Sequence, residues 1–153
     1  MQEKFMKLSQ NFTLNELIYS DTAKRYKIDN TPSKEVIKNL GALVANVLQP
    51  LRDKLGKPII ITSGYRCSKL NSKIGGSNTS QHLTGQAADI IVRGMKVEDL
   101  YKFIKKSGIV YDQLIQEHSG NTTWVHISYC TKLNRKQNLI YKNNHYILDL
   151  NRD

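Results

Sequence analysis

The chain has 153 residues, enough for one domain that buries roughly two thirds of the surface its unfolded form exposes. Hydrophobic residues at 39% and charged residues at 24% exclude a disordered or fibrous chain, and no apolar run approaches the ~18 residues that cross a bilayer. The net charge of +10 favours an anionic partner such as a cell wall, but its lysines and arginines are spread along the chain rather than gathered in one basic arm, which argues against nucleic acid.

The N-terminal MQEKFMKLSQNFTLNEL alternates charged and apolar residues and lacks the apolar core of an export signal. Synthesis in the cytoplasm without a signal peptide is therefore expected. Thr13 followed by Glu16 is a capping-box pattern that opens a short helix over 15–19. A polar connector follows, with Ile28 as its apolar anchor and Asn30-Thr31-Pro32 as its breaker. Ser33 then caps a long helix whose apolar positions, from Val36 through Leu40, Leu43, Val47 and Leu51 to Leu55, recur every three to four residues. Pro50 kinks this helix or starts a new first turn, and Gly56 ends it.

Residues 58–62 are β-branched and bounded by Lys57 and Ser63-Gly64, which predicts a buried strand. Residues 64–86, with Gly64, Gly75, Gly76 and Gly85, read as a long loop, and loops of that length in compact domains usually carry function. A second strand spans 87–92, and an amphipathic helix spans 97–106 with Gly108 as its stop. Strands at 111–118 and 122–129 meet at the two-residue turn Gly120-Asn121, and a last hairpin joins 137–141 to 146–150 around Asn143-Asn144. The sum is an α+β fold in a single domain, 1–153 with a core of about 12–150. Its helices pack on one side of a mostly antiparallel sheet. Cys67 and Cys130 are too few for a disulfide framework, and buried free thiols are expected.

The first hairpin permits a geometric argument. With Gly120 and Asn121 in the turn, Ser119 pairs with Thr122, His118 with Thr123 and Glu117 with Trp124. Opposed residues share a face and side chains alternate along a strand. Glu117, Trp124, His126 and Ser128 then share one face, while His118 points to the other. Gln113 falls on the Glu117 face, and His145 lies beside a turn. His82, Asp89 and His126 supply two imidazoles and one carboxylate, the ligand set of a catalytic zinc with an open fourth position. Glu117 is left as a carboxylate placed for general-base work. By spacing alone, a lone His82 or a lone Asp89 is more often structural than a metal ligand.

Three segments carry a resemblance: SGYRC at 63–67, SQHLTGQAADI at 80–90 and WVHIS at 124–128. In order and separation they resemble the motifs of the zinc D-Ala-D-Ala carboxypeptidase and hedgehog-like metallopeptidase superfamily. The flanking FTLNEL, PSKEVIKNL, LQPLRDKLG and LNSKIGGSNTSQH are similar to its small phage and prophage endolysin branch. The resemblance implies Zn²⁺ bound by His82, Asp89 and His126, with Arg66 orienting and polarising the scissile carbonyl. It also implies Ser80 in contact with substrate, with Gly85 and Ala87 kept small so that the backbone turns between ligands. Trp124 is expected to line the substrate groove. The vancomycin-resistance dipeptidases carry their basic glutamate three residues before the last histidine, where this chain has Thr123, and Glu117 is the replacement read from the hairpin.

The implied activity is hydrolysis of a peptidoglycan stem-peptide bond beside a D-amino acid, either as a carboxypeptidase or as a murein endopeptidase. The enzyme would act as a monomer on an anionic wall, without membrane insertion, after holin-dependent or virion-associated release. The competing reading is a non-catalytic zinc-containing module of the same fold that binds cell wall or a protein. The motifs leave open which bond is cut.

Overall fold

The computed structural model describes residues 5–151. The predicted domain limits and the N-terminal reading extend over residues 1–4 and 152–153, which lie outside the described residues. The Glu16 amide donates to the Thr13 hydroxyl and the Thr13 amide to the Glu16 carboxylate, so the capping box is present and opens α1 (Leu14–Ile18). The connector after α1 is not plain coil, because Ser20 accepts from the Ala23 amide and starts α2 (Asp21–Arg25). A five-residue helix has too few turns to leave a hydrophobic period in the sequence. Asn30 donates from Nδ2 to the carbonyls of Ile18 and Tyr65 and accepts the Cys67 amide on Oδ1. It thereby pins the start of the 64–86 segment beside α1.

Ser33 caps α3 (Lys34–Leu43), which runs through one π-helical turn (Val44–Leu48) into α4 (Gln49–Leu55). Pro50 stands in the first turn of α4 and has no N–H to give the ladder, and the wider turn lies directly before it. Gly56 ends the helix with φ +65°. Leu40, Leu43, Val44, Val47, Leu48 and Leu51 are fully buried along this helix. None of the helices is long and apolar enough to cross a membrane among the described residues.

Among the described residues six strands form one sheet, in the order β1-β2-β4-β3-β5-β6. They are β1 (Ile60–Ser63), β2 (Ala87–Ile91), β3 (Gln113–Ser119), β4 (Thr122–Ser128), β5 (Gln137–Lys142) and β6 (His145–Leu148). All neighbours are antiparallel except β3 and β5. The sheet divides its residues by face. Ala88, Ile90, Leu114, Val125 and Ile127 join the helices, including α6 (Val97–Lys106), in the apolar core. Asp89, Ile115, Glu117, Trp124 and His126 occupy the other face, which is open.

Three expectations need correction. β1 is an edge strand and only half-buried rather than a buried one, because among the described residues no strand pairs with its outer side. The 64–86 segment is not one long loop, since it holds α5 (Ser68–Ile74) and a 3₁₀ turn (Gln81–Thr84). Only Leu70 and Asn71 of α5 are buried, too few to leave an apolar stripe in the sequence. Cys67 and Cys130 are free but half-buried. Cys67 spends its sulfur capping α5 through the Leu70 amide, and Cys130 follows β4.

Gly64 sets the junction between β1 and α1. A Cβ there would stand 2.2 Å from the Leu17 carbonyl oxygen, which itself accepts the Tyr65 amide at 2.7 Å. Gly64→Ala is expected to push this crossing apart and lower stability by about 1–3 kcal/mol, read from the midpoint of urea unfolding. An unchanged midpoint would show that the crossing has slack.

Candidate metal centre

Two of the predicted ligands are placed by one strand pair. β2 and β4 run antiparallel with Asp89 opposite His126, so carboxylate and imidazole project side by side from the same face. His82 comes from the 3₁₀ turn. The Ser80 hydroxyl opens that turn by accepting the His82 amide at 3.2 Å, and Gly85 closes it with φ +75°. A side chain at Gly85 would be strained by that φ and would meet the Val36 carbonyl oxygen at 2.9 Å, so this position demands glycine twice over. The Arg66 amide donates to the His82 carbonyl at 3.0 Å and ties the turn to the end of β1.

The three side chains are buried, and their ligand atoms lie within 4.8 Å of one another. His82 Nε2 stands 3.2 Å and His126 Nδ1 3.0 Å from the same oxygen, Asp89 Oδ1. A tetrahedral ion with arms of about 2.0–2.1 Å spaces its ligands about 3.3 Å apart, so the donor set needs little movement to hold one. The tautomer points the same way. His82 Nδ1 lies 2.6 Å from the Gly64 carbonyl, which can only accept, so the proton sits on Nδ1. Nε2 therefore faces Asp89, as a donor when the ring is protonated and as a metal ligand when it is neutral. Burial works against ionising Asp89, but the His82 and His126 rings outweigh it and hold its carboxyl well below the usual range.

A family model described as Peptidase M15 matches residues 10–128. The chain belongs to the peptidase M15 family. A zinc D-Ala-D-Ala carboxypeptidase from Streptomyces albus G is 43% identical over 44 residues, 28% of this chain. That match spans 17% of the Streptomyces protein's length.

In this M15 chain the His–Asp–His cluster lies in a cavity of about 960 Å³, near the upper end of small-molecule sites, whose wall also includes Arg66, Ser80, Glu117 and Trp124. Every residue singled out for the site thus borders one space. Glu117 and Trp124 are opposed on β3 and β4, as the two-residue turn requires. Gly120 takes φ +59° at the first turn position. Burial, reinforced by the negative charge of Asp89, pushes the Glu117 carboxyl up to about 7, while His126 and Arg66 pull it down. A carboxyl tuned to that range can take and return a proton near neutrality.

Arg66 is held on three sides. Its Nε donates to the Ser63 hydroxyl at 3.0 Å, Nη1 to Asn71 Oδ1 at 3.1 Å, and Nη2 pairs with Asp89 Oδ2 at 3.5 Å. Of five N–H donors, two are left. Ser80 already serves as the cap of the ligand-bearing turn, although its hydroxyl proton stays available. Trp124 Nε1 is the buried side-chain polar atom without a partner among the described residues. Gln113 borders the cavity but donates to Gln137 Oε1 at 2.7 Å. His118 faces the other way and meets Gln116, and His145 is exposed.

Two supporting residues escaped the sequence reading. Asp112 is 2% exposed and binds the Arg135 guanidinium through both oxygens at 2.9 and 2.8 Å. It also accepts Gln81 Nε2 at 2.9 Å, so it fixes the turn that carries His82 to the segment after β4. Asn71, equally buried, accepts from Arg66 and donates to the Ser77 carbonyl at 2.9 Å. Asp112 stands in no motif, and tertiary structure brings its Gln81 partner from 31 residues away. Asn71 lies in LNSKIGGSNTSQH, but nothing in that segment names its Arg66 and Ser77 partners.

Proposed function

We propose that the protein is a zinc metallopeptidase that hydrolyses a bond beside a D-amino acid in peptidoglycan stem peptides, as a D-Ala-D-Ala carboxypeptidase or a murein endopeptidase. The observation that carries this reading is a raised carboxyl, Glu117, sharing one open cavity with a buried His82–Asp89–His126 cluster whose ligand atoms are close enough to hold one metal ion. Family membership and the zinc carboxypeptidase named above support it. A net charge of +10 suits a polyanionic wall.

His82, Asp89 and His126 would hold the metal. When bound, zinc supplies Lewis-acid polarisation of a carbonyl and lowers the pKa of a water toward neutrality. Glu117 takes the proton of the attacking water and returns it to the nitrogen of the leaving amine, so one group serves both halves of the reaction. The two free N–H groups of Arg66 point a fixed positive fork at the carbonyl as charge builds on its oxygen. The Trp124 side chain walls the groove, and the Ser80 hydroxyl orients the peptide beside the first ligand.

The test is to load the protein with zinc, digest purified peptidoglycan and identify the new termini by mass spectrometry. Released D-alanine marks a carboxypeptidase and new internal amino termini an endopeptidase. Bound zinc with no bond cut would sink the enzyme reading and leave the wall-binding module of the same fold.

A further inference from the structure

The hairpin β5–β6 lies beyond residues 10–128, the part matched by the family model, yet Tyr141, Asn144 and Tyr146 border the cavity that holds the metal cluster. Strand register explains how. Glu117 on β3 is opposite Trp124 on β4 and opposite Tyr141 on β5, and Tyr141 is opposite Tyr146 on β6. Trp124, Glu117, Tyr141 and Tyr146 therefore form one row across the open face of the sheet. The row is built rather than incidental. The Tyr141 and Tyr146 rings lie 4.6 Å apart at 49°, a favourable aromatic pairing, and the Tyr141 hydroxyl donates to Asn144 Oδ1 at 3.3 Å. Asn143 and Asn144 both take positive φ, +53° and +63°, which closes the hairpin in two residues and brings Tyr146 back beside Tyr141.

Among the described residues Tyr146 has no hydrogen-bond duty comparable to that of Tyr141, and the residue is 61% exposed although it borders the cavity. Burial of the phenol end, together with the charges of Glu117 and Asp89, pushes its pKa above the ordinary value. The hydroxyl is a proton donor at neutral pH, and the residue borders the cavity.

We propose that Tyr146 is a further substrate-contacting residue, whose hydroxyl donates a hydrogen bond to a carbonyl oxygen of the peptide bound in the cavity. It reaches the substrate from the β6 edge of the sheet, opposite the β1 edge that carries Arg66. Two donors of different kinds then bracket the peptide, a charged fork from one edge and a neutral phenol from the other. The inference rests on the peptidase reading, and it names a residue outside the part of the chain shared with the family model.

The experiment compares zinc-loaded wild type, Tyr146→Phe and Tyr146→Ala on a stem peptide ending in D-Ala-D-Ala, with zinc content measured for each. Tyr146→Phe keeps the ring and its stacking, so its expected effect is a fall in kcat/KM of about 10-fold, carried largely by a raised KM, with zinc content unchanged. Tyr146→Ala is expected to raise KM further. Full activity in Tyr146→Phe would overturn the inference whatever Tyr146→Ala does, because the ring alone would then be a wall. Should wild type cut nothing, the peptidase reading falls and the contact is read instead from peptide affinity, followed through the fluorescence of Trp124, the single tryptophan. Weaker binding by Tyr146→Phe then upholds the contact, and equal binding, or no binding by wild type, overturns it.

Discussion

Replacing Glu117 with glutamine is expected to leave zinc bound and to lower kcat on a D-Ala-terminated stem peptide by about 10²- to 10⁴-fold. Glutamine keeps the size of the side chain and its place between Trp124 and Tyr141, but it can neither accept the water proton nor return one to the amine. Metal content separates this outcome from simple damage, since Glu117 is not among the three clustered ligands. A variant with full zinc and full turnover would show that another group is the base.

The pH profile gives the same assignment a second reading. Burial and Asp89 raise Glu117 to about 7 from an ordinary 4.5, against His126 and Arg66, and a bound divalent cation acts in the same direction as those two positive groups. The acid limb of kcat/KM is therefore expected between about 4.5 and about 7, and it should vanish from the residual activity of Glu117→Gln. Stability follows the opposite sign. The metal-free folded protein holds this proton more tightly than the unfolded chain, so the contribution is complete below about 4.5 and is lost as pH rises through about 7. Urea midpoints of the metal-free wild type should fall relative to Glu117→Gln across that window. Parallel trends in the two proteins would mean that Glu117 is not desolvated as the structure places it.

Much of this site could be read before any coordinates because two local rules fix it. A two-residue turn at Gly120-Asn121 admits one register, and that register puts Glu117 opposite Trp124 and both on the face of His126. Asn143-Asn144 does the same for the last hairpin. What had no local code was the pairing of distant segments. That β3 and β5 lie parallel follows from no turn, and without it Tyr141 and Tyr146 cannot be placed beside Glu117. The edge position of β1 has the same origin, as does the bridge from Asp112 to Gln81 that steadies the turn of His82. Helices α2 and α5 were missed for a different reason, since caps and tertiary contacts hold them rather than an apolar face.

Asp89 is the shared oxygen of the cluster, and its replacement by asparagine separates metal binding from folding. Its Oδ1 meets both His82 Nε2 and His126 Nδ1, while Oδ2 faces Arg66. An asparagine amide has the same outline and can donate to a neutral imidazole, so Asp89→Asn should fold without metal and keep the β2–β4 pairing of residue 89 with His126. It cannot supply the negative charge that offsets a divalent cation, nor the one that balances the partly buried Arg66. Zinc affinity is expected to fall by more than about 100-fold, beyond the usual cost of losing an outer-shell partner of a ligand, and turnover to drop to the level of chelator-treated wild type. Thermal unfolding gives a readout independent of activity. Zinc at 100 times its Kd should stabilise wild type by about 2.7 kcal/mol, and the same concentration should stabilise Asp89→Asn by less than about 0.4 kcal/mol. A variant that melts at the wild-type temperature with and without the metal, and takes up zinc as tightly, would place the ion elsewhere and remove the shared oxygen from the centre of the site.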